Sequence, residues 1–157
     1  MGKWIGLSLC LAVFGTATSA LEACQDDVMH LRGDWGEARF SVDVVDTPQE
    51  RSQGLMFVES MPRMSGMLFV YEQAQRVSFW MKNTLIPLDM VFAGADGVVH
   101  RVHSNAIPHD ETAILGGSQI QYVLEINGGM AQQLGIDVGS EMRHPAISAN
   151  VASWPCE

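Results

Sequence analysis

Beyond its N-terminus, the 157-residue sequence has no apolar run near the about 20 residues needed to cross a bilayer. Basic residues are also scarce, 9 against 18 acidic ones, and the formal net charge of -9 disfavours nonspecific binding to nucleic acid or anionic lipid. The composition, 47% apolar and 17% charged, excludes a disordered chain. We therefore predict a globular protein with no nucleic-acid partner and, once the N-terminal segment is removed as an export signal, no membrane span.

The first twenty residues have the layout of a secretory signal peptide. Lys3 precedes an apolar stretch over residues 4–14, and small residues follow at 16–20. An uncleaved anchor is the alternative, but the apolar stretch is shorter than a membrane span. These features predict a cleaved signal over residues 1–20 and a single β-rich domain over residues 21–157, exported to the periplasm or the cell exterior.

Cysteine is equally scarce, with three in the whole chain. Cys10 would be removed with the signal, which leaves Cys24 and Cys156 at opposite ends of the mature chain. In an oxidising compartment such a pair is expected to form a disulfide, and closing so long a loop contributes roughly 4 to 5 kcal/mol in the chain-entropy model. Lipidation of Cys24 is the alternative, although Glu22 fits poorly beside the small residues expected at such a site.

The first clear strand is predicted over residues 37–45, where apolar and polar side chains alternate with a period of two. It is followed by Thr47, Pro48 and Glu50, which form the capping-box pattern of a helix start, and Gly54 suits the end of that short helix.

The rest of the chain is predicted to contain further short strands and one more short helix. Turn signals at short spacing with few helices favour a mainly β fold: a compact, mostly antiparallel barrel- or sandwich-like sheet with two short helices. The predicted strands cover residues 66–71, 87–92, 98–102, 122–126 and part of 137–143. A second helix is predicted over 129–134, capped by Asn127 and ended by Gly135, and residues 72–76 and 103–119 are predicted to be a turn and a loop.

Residues 79–89, FWMKNTLIPLD, are interpreted as one β-hairpin. Alternation along the two arms places the apolar side chains in the core and leaves Trp80, Lys82 and Asp89 on the second face, near Asn83 at the turn. Lys82 offers a positive charge, Trp80 an apolar plane, and Asp89 a partner for Lys82. This face could bind a small ligand with an anionic or hydroxyl group, or it could hold only an ordinary cross-strand ion pair.

The sequence resembles the exported family catalogued as domain of unknown function 192 over roughly residues 37–143. This resemblance implies a small β-rich domain without an established activity, so it assigns no catalytic residue. The motifs that carry it are GLM at 54–56, GMLF at 66–69, FWMKNT at 79–84, IPLD at 86–89 and YVLEI at 122–126.

Three hypotheses about function remain open at this point. The first is a non-catalytic domain that binds a small molecule, sugar or peptide of the cell envelope at Trp80, Lys82, Asn83 and Asp89. The second is a small enzyme in which Lys82 acts with Asp89 or Glu125, and the third is a partner-binding scaffold. The ten methionines are assigned to core packing, so we expect no metal site and no cofactor.

Overall fold

The computed structural model describes residues 23–156, so the predicted signal peptide and Cys10 lie outside the described residues. The described chain is rich in strands and has two short helices, which confirms the predicted fold class. The elements are β1 (Val28–Gly33), β2 (Gly36–Val45), α1 (Pro48–Gln53), β3 (Ser65–Phe79), β4 (Leu88–Ala93), β5 (Val99–Ala106), β6 (Ile114–Asn127), α2 (Met130–Leu134) and β7 (Glu141–Arg143).

Within residues 23–156 the strands form one sheet in the order β5-β4-β6-β3-β2-β1-β7. The pairing is antiparallel except between β2 and β3, which run parallel. The sheet curls into a half-barrel, and a bridge between Val98 and Glu141 links its two ends. The backbone N–H of Val99 also donates to the Ser140 carbonyl at 2.8 Å.

The central strands are buried on both faces, and each face has its own core. Leu68 and Leu124 are directly paired and belong to one core, whereas Phe69 and Val123, also paired, belong to the other. Successive side chains of a strand point to opposite faces, so an apolar run such as GMLF supplies both cores at once. Gly66 is required by the same close packing, because a Cβ there would collide with the Glu125 carbonyl oxygen.

Helix α1 begins and ends as the sequence predicts. The Thr47 hydroxyl accepts from the Glu50 N–H at 3.3 Å, and the Glu50 carboxylate accepts from the Thr47 N–H at 3.2 Å. Gly54 follows the last helical residue with a positive φ of 48°. The helix buries none of its side chains, so the capping box and the contacts of Arg51 hold it in place.

The predicted hairpin over residues 79–89 is wrong. Strands β3 and β4 are not neighbours, because β6 lies between them and pairs with both. The local pattern of two apolar segments around a turn is compatible with a hairpin, but the chain beyond it supplies a strand that separates the two arms. The segment 80–87 is therefore a connection between strands.

Four smaller expectations also differ from the structure. The predicted turn at 72–76 lies inside β3, whose pairing with β6 has register shifts from Val70 to Ser78. The predicted loop at 103–119 contains the ends of β5 and β6, and strand β1 was not predicted. Asn127 does not cap α2. Its side-chain amide donates to the carbonyls of Met61 and Pro62, and Gly129 takes the cap position.

Candidate functional site

Trp80 and Lys82 lie together in the connection that follows β3. The Lys82 Nζ is 5.0 Å from the centroid of the Trp80 ring, a cation–π contact. Trp80 is 46% exposed and Lys82 is half-buried, so both can be reached from solvent. This part of the predicted site is assembled in the structure.

Asn83 joins this connection to the segment after α1. Its φ of 53° is in the left-handed region, which Asn tolerates better than most residues. Its carbonyl accepts from the Phe57 N–H at 2.9 Å, and its side-chain amide lies 3.9 Å from the Met56 Sδ. These contacts hold residues 54–57 against residues 80–84, so Asn83 has a structural role in positioning the two segments.

Asp89 lies elsewhere and is fully buried. Its carboxylate accepts backbone N–H groups from Asn105 at 2.7 Å, Gly129 at 2.9 Å and Ala131 at 2.8 Å. The expected pair with Lys82 is not formed, because β4 pairs with β6 and directs this carboxylate toward the start of α2. Asp89 therefore holds together β4, β5 and α2.

Glu125 of β6, and not Asp89, lines the same crevice as Lys82. This crevice has a volume of about 40 Å³, and we call it the Glu125 crevice. Its walls come from α1 and the residues after it, from β3, and from the connection after β3. The lining residues are Arg51, Ser52, Gln53, Gly54, Leu55, Met56, Phe69, Phe79, Trp80, Lys82, Thr84 and Glu125.

Glu125 is almost fully buried, and the residue lines the crevice. It lies between Met67 of β3 and Met90 of β4, the residues directly opposite it in the sheet. Only 4% of the residue is exposed, and no group within residues 23–156 donates a hydrogen bond to its side chain. Burial raises the pKa of Glu125 to about 8, because the charged form loses hydration and gains nothing in return.

Arg51 and Tyr71 complete the charged and titratable surroundings of this carboxyl. The Arg51 guanidinium lies 4.7 Å from the centroid of the Tyr71 ring and donates to the Val70 carbonyl at 2.8 Å and to the Asp46 carbonyl. Burial raises the pKa of the Tyr71 phenol, Arg51 opposes this shift, and Glu125 adds to it. Arg51 thus fixes α1 next to the crevice.

Replacing Glu125 with Gln is expected to remove a pH dependence of stability. The pKa of this carboxyl is about 8 in the folded protein against 4.5 for the unperturbed group, so between these values the folded state binds more protons than the unfolded state. The free energy of unfolding of the native protein should therefore fall, relative to Glu125→Gln, by roughly 1 kcal/mol per pH unit as pH rises from 5 to about 8.

Urea unfolding of both proteins at several pH values across this window measures the effect. His144, whose pKa is lowered by burial, is present in both proteins, so the difference isolates Glu125. Parallel pH profiles for the two proteins would contradict an elevated pKa at Glu125.

A larger concavity, about 640 Å³, lies between residues 32–35 and 135–141. Four of its polar side chains pair with each other: Arg32 Nε with Glu141 at 2.6 Å, and Trp35 Nε1 with Ser140 Oγ at 3.0 Å. Groups that satisfy each other leave fewer free donors and acceptors for a ligand. In the described part of the chain, no cluster of three or more His, Cys, Asp or Glu side chains is arranged to hold a metal ion.

Fold and site together define a class: a small half-barrel domain with a buried carboxyl beside an exposed Trp and a Lys. The chain belongs to the family described as DUF192, Uncharacterized ACR, whose model matches residues 29–144. The expected membership is confirmed. Four of the five motifs behind the resemblance supply lining residues of the Glu125 crevice, and only IPLD, which contains Asp89, supplies none.

Solved structures that are similar to this chain include the following two. One is a protein of unknown function from Novosphingobium aromaticivorans DSM 12444, with 37% identity and a TM-score of 0.72 over 73% of this chain and 82% of that one. The other is described as a putative transcription regulator from Sinorhizobium meliloti 1021, with 36% identity and a TM-score of 0.72 over 76% of this chain and 94% of that one. None of the curated proteins matches this chain. Across residues 23–156, no helix is long and apolar enough to span a bilayer.

Proposed function

We propose that this protein is an exported domain that binds a small ligand at the Glu125 crevice. The observation that carries the proposal is the Glu125 carboxyl, which borders an opening but has no hydrogen-bond donor among residues 23–156. Leaving a buried polar group without a partner costs about 1 to 3 kcal/mol. Buried titratable groups with such shifted pKa values concentrate at binding and catalytic sites.

The dimensions of the crevice limit what enters it. A volume of about 40 Å³ accommodates one small polar group, whereas complete pockets for small molecules measure about 300 to 1,000 Å³. The remainder of the ligand would lie outside, against the exposed face of Trp80. An envelope metabolite, a sugar or a peptide with one protruding polar group has the required shape.

Export is supported by the ends of the chain. Cys24 and Cys156 form a disulfide, and disulfides persist mainly in oxidising compartments such as the periplasm or the cell exterior. The signal-peptide pattern over residues 1–20 points to the same destination. A domain in this location would meet its ligand in the cell envelope.

A second candidate function is a small enzyme in which Glu125 acts as acid or base. The observation in its favour is the pKa of about 8, close to the range in which a carboxyl can exchange a proton at neutral pH. Asp89 is unsuited to this role because three backbone N–H groups occupy its oxygens. Conversion of a bound ligand by the native protein, with binding but no conversion in Glu125→Gln, would identify the enzyme.

The binding proposal predicts that Lys82→Met and Trp80→Leu weaken any ligand found by thermal-shift screening against envelope metabolites, sugars and peptides. Each variant should lose about tenfold or more in affinity, about 1.4 kcal/mol, since one removes the charge and the other the aromatic plane. Isothermal titration calorimetry of the hit against each variant measures the loss.

Arg76→Met serves as the matched control, because Arg76 is an exposed cation of β3 that does not line the crevice. It should bind the ligand as the native protein does. A ligand that binds both crevice variants with native affinity would place the binding site elsewhere and overturn the proposal.

A further inference from the structure

Two cationic residues are among those that line the Glu125 crevice. Arg51 of α1 and Lys82 of the connection after β3 both line it, and Glu125 is the one acidic residue among its lining residues. The other titratable group that faces Glu125 is the Tyr71 phenol of β3. The surroundings therefore favour an anionic ligand group over a cationic one, which Arg51 and Lys82 would repel.

Asp89 and Glu125, the two buried acidic residues within residues 23–156, have opposite environments. Asp89 accepts three backbone N–H groups, the arrangement that stabilises a carboxylate. Glu125 has methionines on both sides in the sheet and no donor within the described residues. Its environment is suited to a neutral carboxylic acid, which needs an acceptor for its O–H.

We propose that the ligand of this site carries a carboxylate that binds between Lys82 and Glu125. This carboxylate accepts a hydrogen bond from the Glu125 O–H and forms an ion pair with the Lys82 ammonium. This proposal rests on the binding function proposed above and names its ligand class. A planar carboxylate matches the small volume of the crevice, and an apolar or ring portion would then contact Trp80.

The proposal makes binding depend on pH. With a pKa of about 8, Glu125 keeps its proton at neutral pH and donates it in the hydrogen bond, but above that pH it becomes a second negative charge facing the ligand. Affinity should be constant near pH 6 to 7 and fall about tenfold per pH unit above pH 8. Binding at pH 9 should take up close to one proton, and binding at pH 6 none.

Benzoate and benzamide are suitable probes because they share a ring and differ in the charged group. We expect the native protein to bind benzoate more tightly than benzamide, with a shift of the Trp80 indole N–H signal in NMR spectra. The Trp35 and Trp154 signals are internal controls, since Trp35 donates to Ser140 and the Trp154 ring contacts the guanidinium groups of Arg32 and Arg143. Phenyl phosphate should bind more weakly than benzoate because its head group is bulkier.

Two variants test the part played by Glu125. Glu125→Gln retains an N–H donor but cannot ionise, so it should bind benzoate at pH 9 nearly as well as at pH 6. Glu125→Leu has no donor and should bind about tenfold more weakly at neutral pH. Calorimetry in buffers with different ionisation enthalpies counts the protons taken up by each protein.

The outcomes separate this inference from the proposed function. If benzoate shifts the Trp80 signal but its affinity is independent of pH and unchanged in Glu125→Leu, the crevice binds ligands without Glu125 and only this inference fails. If benzamide or phenyl phosphate binds more tightly than benzoate, or if benzoate does not bind, the ligand is not a carboxylate and this inference fails. The proposed function is still supported in that case if a screening hit depends on Lys82 and Trp80. No such hit and no shift by any probe overturn both.

Discussion

Replacing Cys24 and Cys156 together with Ser is expected to lower the free energy of unfolding by about 4 to 5 kcal/mol. The disulfide joins residues separated by 132 positions, with Cα atoms 5.8 Å apart. It therefore closes nearly the whole described chain into one loop, and removing it releases that constraint from the unfolded state.

The C-terminal segment has other attachments that keep the effect from being larger. The Ser153 N–H donates to the Asp96 carbonyl at 2.9 Å. The Trp154 ring lies 4.4 Å from the Arg32 guanidinium and 4.6 Å from that of Arg143. These contacts should keep the segment in place when the cysteines are absent, so the folded structure should survive.

Urea unfolding of the oxidised native protein and of the double Ser variant measures the difference. Reducing agent should destabilise the native protein to a similar extent and leave the variant unchanged, which makes the variant its own control. Mass analysis of the native protein under non-reducing conditions should find no free thiol. A change below about 1 kcal/mol would show that this loop closure contributes little to stability.

Asp89→Ala is the second substitution with a large expected effect, a loss of about 3 to 5 kcal/mol in the free energy of unfolding. It leaves the N–H groups of Asn105, Gly129 and Ala131 without their acceptor inside the protein. Gly129 and Ala131 are at the start of α2, and Asn105 is near the end of β5, so this helix and an edge strand lose their common attachment.

Asp89→Asn keeps the side-chain volume and one acceptor oxygen, so its loss should be smaller than that of Asp89→Ala. Asp43→Ala is the matched control, because Asp43 is exposed on β2 and should change stability by less than about 0.5 kcal/mol. Thermal and urea unfolding of the three variants measure the order. Equal stability of Asp89→Ala and Asp43→Ala would contradict the structural role of Asp89.

Local signals predicted the elements that depend on nearby residues. The capping box of Thr47 and Glu50 and the end of α1 at Gly54 are as expected, because all their contacts are within a few positions. Strand β2 was predicted because its solvent-exposed face keeps the alternation of polar and apolar residues. Strands β3 and β6 were predicted too short, because bulges and exposed positions interrupt the pattern in the middle of each.

Only the part of the candidate site that depends on nearby residues was predicted. Trp80 and Lys82 are two residues apart, so a local pattern was sufficient to group them. Glu125 was considered only as a partner of Lys82, although a charged residue inside the apolar run 122–126 is itself the signal of a buried carboxyl. Asp89 was assigned to the wrong neighbours, because its position depends on β6 and α2 rather than on the turn before it.

The sequence by itself determined the fold class, the family, the pairing of Cys24 with Cys156 and the grouping of Trp80 with Lys82, since each follows from local order or from residue types that allow few partners. Tertiary structure alone decided that β6 separates β3 from β4. The same strand order decided that Asp89 accepts backbone N–H groups and that Glu125 lines a crevice without a hydrogen-bond donor among the described residues. Strand order depends on many side-chain contacts between residues that are far apart in the sequence, so it cannot be predicted from any single segment.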